Sequence, residues 1–177
     1  GGTFNPPHNG HIILGNDFKE QLELDKLLVI PTYIPPHKVT PFLASSEDRV
    51  NMCRIMFEPI GYEIDTIEIE RGGKSYTHDT LHELKKKYDN PEIFHAMGSD
   101  MFFLFEKKKK PEEILSLCTI CVATREHEKT RSEFERYAMQ KFPEYYKSGH
   151  IRILNCNPLE ISSTEIREMI KNKENTD

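Results

Sequence analysis

The 177-residue chain contains no tryptophan, so any flat ligand has to be stacked by tyrosine or phenylalanine. It also lacks an apolar run near the ~20 residues that a membrane-spanning helix needs, and it carries no signal-peptide pattern. Neither a helical membrane span nor export is indicated. A basic excess is missing as well: the formal net charge is -5, whereas general nucleic-acid binding needs a basic face that displaces counterions. The expected ligand is small. Cysteine is sparse, with Cys53, Cys118, Cys121 and Cys156 in apolar surroundings. One Cys-X-X-Cys pair lies in a strand-like run and no second pair exists, which argues against a zinc knuckle and favours reduced, partly buried thiols in a reducing compartment over a disulfide or metal site. The expected location is the cytoplasm. There is no internal repeat and no low-complexity linker, and the length fits a single domain over residues 1–177. The lysine run 107–110 is the only charge run, and by itself it reads as a solvated turn before Pro111.

Short apolar runs alternate with helical spacing, the pattern of a parallel sheet with helices on both faces. Strands are expected over residues 26–30, 63–69, 92–97, 118–123 and 151–155, where branched and apolar residues cluster. Helices are expected over 11–24, 47–57, 78–88, 100–117 with a break near Pro111, 131–142 and 164–173. Ser163, followed three residues later by Ile166, is expected to cap the last helix without a full capping box.

The chemistry concentrates at the two ends. Gly1-Gly2-Thr3-Phe4-Asn5-Pro6-Pro7-His8-Asn9-Gly10-His11 combines a glycine pair, a proline-stiffened turn and two histidines that open a helix. Glycine lets backbone approach a ligand without a Cβ in the way, proline fixes φ, and a helix N-terminus presents unpaired N–H groups to an anion. The reaction suggested is phosphoryl or nucleotidyl transfer. This segment resembles the GGxFDPxHxGH signature of the nucleotidyltransferase superfamily. Near the other end, Ile161-Ser162-Ser163-Thr164-Glu165-Ile166-Arg167 resembles the ISSTxIR motif of the nicotinamide or nicotinate mononucleotide adenylyltransferases.

That resemblance implies a Rossmann-like α/β nucleotidyltransferase fold that moves AMP from ATP to a pyridine mononucleotide, nicotinate mononucleotide above all, and releases pyrophosphate. It implies that Gly1, Gly2, Thr3, Phe4, His8, His11, Gly98, Asp100, Ser162, Ser163, Thr164 and Arg167 bind ATP. His8, His11 and Arg167 are the catalytic candidates. On the acceptor side, Pro35-Pro36-His37-Lys38 and Ser75-Tyr76-Thr77-His78-Asp79-Thr80-Leu81 resemble PPHK and SYTxDTL segments of the bacterial nicotinate enzymes, which points to Lys38, Tyr76 and Thr77. Arg49, Arg125 and Phe103 complete the expected acceptor set. Mg²⁺ is expected as a partner of the ATP phosphates, without a dedicated protein metal site. In the resembled family a strand leads into the glycine loop and a short helical segment follows the last helix, so both are expected beyond the given residues. The family also carries a tryptophan-led pair after the central Gly-X-Asp to stack the pyridine. Here the aligned positions are Lys108 and Lys109, leaving Phe103, Phe105 or Tyr76 as the stacking candidates.

Overall fold

The computed structural model describes residues 1–36, 42–124, 131–156 and 161–172. All strand pairing among them is parallel, and it lies in two sheets within two compact units. The first unit comprises Gly1–Ser75 and the described part of the C-terminal segment. Its elements are α1 (Asn9–Gln21), β1 (Leu28–Val29), α2 (Ser46–Phe57), β2 (Glu63–Ile64), α3 (Ile67–Arg71) and, from the chain's end, α9 (Ser163–Lys171). β1 and β2 pair with Leu28 opposite Glu63 and Val29 opposite Ile64. On the other side of β1 the glycine loop runs alongside: Gly2 N–H donates to the Ile30 carbonyl at 3.1 Å, and Thr32 N–H to the Gly2 carbonyl at 2.9 Å. Phe4, Val29, Cys53, Phe57 and Tyr62 form the unit's core. α2 starts where expected, because the Ser45 hydroxyl accepts from Asp48 N–H at 3.0 Å and two acids sit in its first turn.

One expected strand is shorter than its composition suggests. The run 63–69 stays extended only through Ile64, because Asp65 Oδ1 accepts from Ile67 N–H at 3.1 Å and turns the chain into α3. The isoleucines at 67 and 69 favour a strand, yet a local side-chain bond to the backbone overrides that preference.

The second unit, Tyr76–Asn157, holds α4 (Thr77–Lys87), β3 (Phe94–Gly98), α5 (Ser99–Phe103), α6 (Pro111–Leu117), β4 (Thr119–Thr124), α7 (Arg131–Lys141), α8 (Pro143–Lys147) and β5 (Ile151–Asn155). The sheet order is β3-β4-β5, with Gly98 opposite Ala123 and Thr124 opposite Asn155 at the carboxyl ends. Ile120, Cys121 and Val122 in β4 are fully buried, the reason the centre of this strand is continuously apolar instead of alternating. The expected helix over 100–117 is divided further than its proline alone would divide it: α5 ends at Phe103, one 3₁₀ turn covers Phe105–Lys107, and α6 begins at Pro111 after Lys110 at φ 56°. Pro143 likewise separates α7 from α8. All four cysteines are buried free thiols. Burial pushes Cys53, Cys118 and Cys121 up to about 12, which leaves them inert as nucleophiles. Parallel sheets flanked by helices are the arrangement the alternation of runs implied, and no described helix is long and apolar enough to cross a membrane.

Candidate active site

The glycine loop turns sharply at Phe4, which adopts a left-handed backbone at φ 49°. That conformation costs a bulky residue about 1–3 kcal/mol. Packing holds it: the Phe4 ring lies 5.0 Å from His11 and 5.9 Å edge-on to Phe57. A Cβ on Gly2 would approach that ring to 3.2 Å. α1 then opens at His8, whose own backbone is extended. A Cβ on Gly10 would come within 3.0 Å of His8 Nδ1 and 3.3 Å of Ile161 Cγ2. The glycine between the two histidines therefore admits both the His8 ring and the start of the second motif.

The two ends of the sequence meet here. Arg167 Nη1 donates to the Asn5 carbonyl at 2.6 Å and Nη2 to the Thr164 hydroxyl at 3.0 Å, while the Ser163 hydroxyl donates to the Pro6 carbonyl at 2.7 Å. Segments more than 150 residues apart thus share direct hydrogen bonds. α9 is capped by Ser162, not by Ser163 as its spacing suggested. Ser162 Oγ accepts from Glu165 N–H at 3.2 Å, and Ser162 N–H donates to Glu165 Oε2 at 2.8 Å, a complete capping box. The register error arose from pairing Ser163 with Ile166 when the adjacent pair carries the glutamate. With Ser162 at the cap, the first-turn amides of α9 begin at Ser163.

His11 is a neutral donor. His8 N–H donates to His11 Nδ1 at 3.1 Å, so the single proton of the neutral ring resides on Nε2. Burial, followed by the neighbouring His8 ring 3.8 Å away, lowers its pKa to about 4. An unfolded histidine titrates near 6.5, so between 6.5 and 4 the unfolded chain takes up a proton that the folded ring refuses. Stability from this group is complete above pH 6.5 and is lost as pH falls toward 4, by at most about 3 kcal/mol. Urea unfolding at pH 7 and pH 4.5 should show a smaller pH dependence in His11→Asn than in the wild type. Equal pH dependence in the two proteins would refute the lowered pKa.

Arg49, expected at the acceptor, lies inside the first unit with 1% exposure. Its Nη1 donates to the Thr3 and Thr32 carbonyls at 2.9 and 2.6 Å, Nη2 to Tyr33 at 3.2 Å and Nε to Ala44 at 3.2 Å. It fastens the glycine loop to the end of β1 and to the approach to α2. Asn5 supports the same junction, donating to the Phe42 carbonyl at 3.2 Å and accepting from Ala44 N–H at 3.1 Å. Asn5 was not among the expected site residues. Its position within the motif was the available signal, since the family pattern has an acid there and the amide here both donates and accepts.

In the second unit Gly98 closes β3 and Asp100 lies exposed in the first turn of α5, at the carboxyl end of a parallel strand, where open α/β sheets bind ligands. Tyr76 precedes α4 and Thr77 is its first residue, both partly buried. Lys109 Nζ rests 4.4 Å from the centroid of the Tyr76 ring, a cation–π contact worth about 0.5–1 kcal/mol at an exposed position. Phe103 is partly buried: it stacks on Phe134 at 5.0 Å and meets Tyr137 edge-on at 5.1 Å. Phe105 is fully buried against Phe142. Of the three stacking candidates, Tyr76 alone is outside the core clusters. Lys38 and Arg125 lie outside the described residues. Among the described residues no three His, Cys, Asp or Glu side chains converge as metal ligands. The loop and α9 instead present imidazole, hydroxyl, guanidinium and amide donors, a set suited to phosphate oxygens.

The cytidylyltransferase-like family matches residues 1–169. The chain is 40% identical over 166 residues to an Aquifex aeolicus (strain VF5) protein named "Probable nicotinate-nucleotide adenylyltransferase", covering 93% of this chain and 97% of that one. It is 34% identical over 180 residues to the nicotinate-nucleotide adenylyltransferase of Bacillus subtilis (strain 168), covering 100% of this chain and 86% of that one. Among solved structures, Plasmodium falciparum nicotinic acid mononucleotide adenylyltransferase complexed with NaAD matches with a TM-score of 0.74, over 98% of this chain and 83% of that one. At 18% identity this last likeness bears on the fold alone.

Proposed function

Because the chain belongs to the cytidylyltransferase-like family and, within it, to the nicotinate-nucleotide adenylyltransferases, we propose that its two terminal motifs together hold the triphosphate of ATP for AMP transfer. The enzyme transfers AMP from ATP to nicotinate mononucleotide, giving nicotinate adenine dinucleotide and pyrophosphate, a step of NAD synthesis. The observation that carries this reading is the direct bonding of the second motif to the first, Arg167 to Asn5 and Ser163 to Pro6.

The attacking group is a phosphate oxygen already ionised at neutral pH, so no strong base is required. The barrier lies in alignment and in charge on the phosphates. Neutral His11 offers its Nε2–H to the α-phosphate, and His8 offers a second ring beside it. The amides at the start of α1 and α9 face the phosphate chain with their dipoles favouring negative charge. Arg167 spends two donors on Asn5 and Thr164, and a guanidinium carries five, so the rest are available to the leaving pyrophosphate. Gly98 and Asp100 hold the adenosine side, and Tyr76 and Thr77 take the pyridine. The imidazole, amide and guanidinium donors orient the phosphates, whose charge Mg²⁺ bound through ATP would partly neutralise. The buried free thiols fit a reducing compartment, and we assign the enzyme to the cytoplasm.

Pyrophosphate release from Mg·ATP, measured with nicotinate mononucleotide, nicotinamide mononucleotide and phosphopantetheine at equal concentration, tests the assignment. The acid is expected to react fastest. Turnover with phosphopantetheine alone, or with CTP in place of ATP, would move the chain to another branch of the same fold.

A further inference from the structure

Four lysines in a row stand out in a chain of net charge -5, and the structure gives two of them different surroundings. Lys110 pairs with Glu113 at 2.8 Å, and Glu113 meets His82 of α4 at 2.6 Å, which ties the start of α6 to α4. Lys109 has no carboxylate partner among the described residues, and its ammonium lies over the Tyr76 ring instead. An ammonium on a neutral ring is satisfied only weakly and favours an anion that can reach it. The surroundings repeat this preference. Tyr76 leads directly into α4, an eleven-residue helix whose first-turn amides attract negative charge. His78, 3% exposed beside the Tyr76 ring, faces Asp79 Oδ1 with Nε2 at 2.9 Å, so the proton of its neutral ring lies there and its Nδ1 is an acceptor that adds nothing to the anion preference.

Building on the acceptor assignment above, we propose that Lys109 reads the acid: with the pyridine against Tyr76, its ammonium pairs with the carboxylate of nicotinate mononucleotide and sets the preference over the uncharged amide. The carboxamide has nearly the same shape, so stacking and phosphate contacts cannot separate the two acceptors, whereas a positive charge can. The tether between Glu113 and His82 keeps the lysine turn beside α4, while the weak hold of the Tyr76 face leaves Lys109 able to transfer to the ligand.

The test measures kcat/KM for nicotinate and nicotinamide mononucleotides, together with calorimetric Kd values for both, on wild type, Lys109→Met, Lys109→Arg and Lys110→Met. In Lys109→Met the acid-to-amide ratio is expected to fall about tenfold, mainly through KM and Kd of the acid. Lys109→Arg and Lys110→Met should stay within about threefold of wild type, since one keeps the charge and the other removes a lysine already paired with Glu113. A Lys109→Met ratio within about twofold of wild type, or equal losses on both acceptors, overturns the proposal. Wild-type protein that binds both mononucleotides without turnover refutes the catalytic reading while the Kd ratio still decides the role of Lys109. Wild-type protein that binds neither refutes both.

Discussion

His11→Ala is expected to lower kcat for AMP transfer by about 10²- to 10³-fold, with much smaller changes in KM for either substrate. The expected size follows from preorganisation. The ring is held by the His8 N–H on Nδ1 and by the Phe4 ring 5.0 Å away, so in the proposed role its Nε2–H would meet charge growing on the α-phosphate without reorganisation at that moment. A donor of this kind acts more strongly on the transition state than on bound ATP, which is why the loss falls on kcat. The protonation state adds a second signature. With its pKa lowered to about 4, His11 remains neutral through the mildly acidic range, and kcat should show no His11-dependent inflection near pH 6.5. Steady-state rates of wild type and His11→Ala from pH 5 to pH 8 measure both effects. A tenfold loss carried entirely in KM, or an inflection near 6.5 that the variant abolishes, would mean that His11 binds as a cation instead.

Arg49→Met is expected to destabilise the fold by about 3–5 kcal/mol, the usual cost of removing one side of a buried charged network. The guanidinium is 1% exposed, and four main-chain carbonyls depend on it: Thr3, Thr32, Tyr33 and Ala44. Methionine fills much of the volume but leaves those carbonyls without their donor. Domains are typically stable by only about 5–15 kcal/mol, so the loss takes a large share of what is available. Activity would fall in parallel because Thr3 belongs to the glycine loop proposed to hold the phosphates. Urea unfolding followed by circular dichroism gives the number, and Arg49→Lys should recover only a minor part because an ammonium cannot reach four carbonyls from a planar fork. A loss under about 1 kcal/mol together with a large rise in acceptor KM would instead make Arg49 a ligand contact.

Arg49 also shows where sequence reasoning stops. Its position in a helix after an acceptor-like segment suggested a ligand, whereas its role depends on carbonyls from three separate stretches that only folding brings together. Motifs were legible wherever the chemistry is local. The glycine loop with its two histidines and the ISSTxIR segment were both visible as strings, and β4 and β5 fell within one residue of their expected bounds. What failed was decided by single side-chain bonds to the backbone. Asp65 ended a strand that the isoleucines would have prolonged, and Glu165 moved the α9 cap to Ser162. Phe103 was a stacking candidate by type, and the packing of its ring on Phe134 and Tyr137 was not visible in the sequence. Lys109 was visible only as a departure from a family pattern, and its place over Tyr76 needed coordinates.

Joined terminal motifs that direct attack at the α-phosphate of ATP, as proposed, leave a signature in where each phosphate of ATP ends up. Labelled ATP tests it most directly: the enzyme is incubated with Mg²⁺, nicotinate mononucleotide and ATP carrying radiolabel in either the α- or the γ-phosphate, and the products are separated. The expected result is α-label only in the dinucleotide and γ-label only in pyrophosphate, in equal amounts. γ-Label passing to the mononucleotide, or released as inorganic phosphate with no dinucleotide formed, would contradict it.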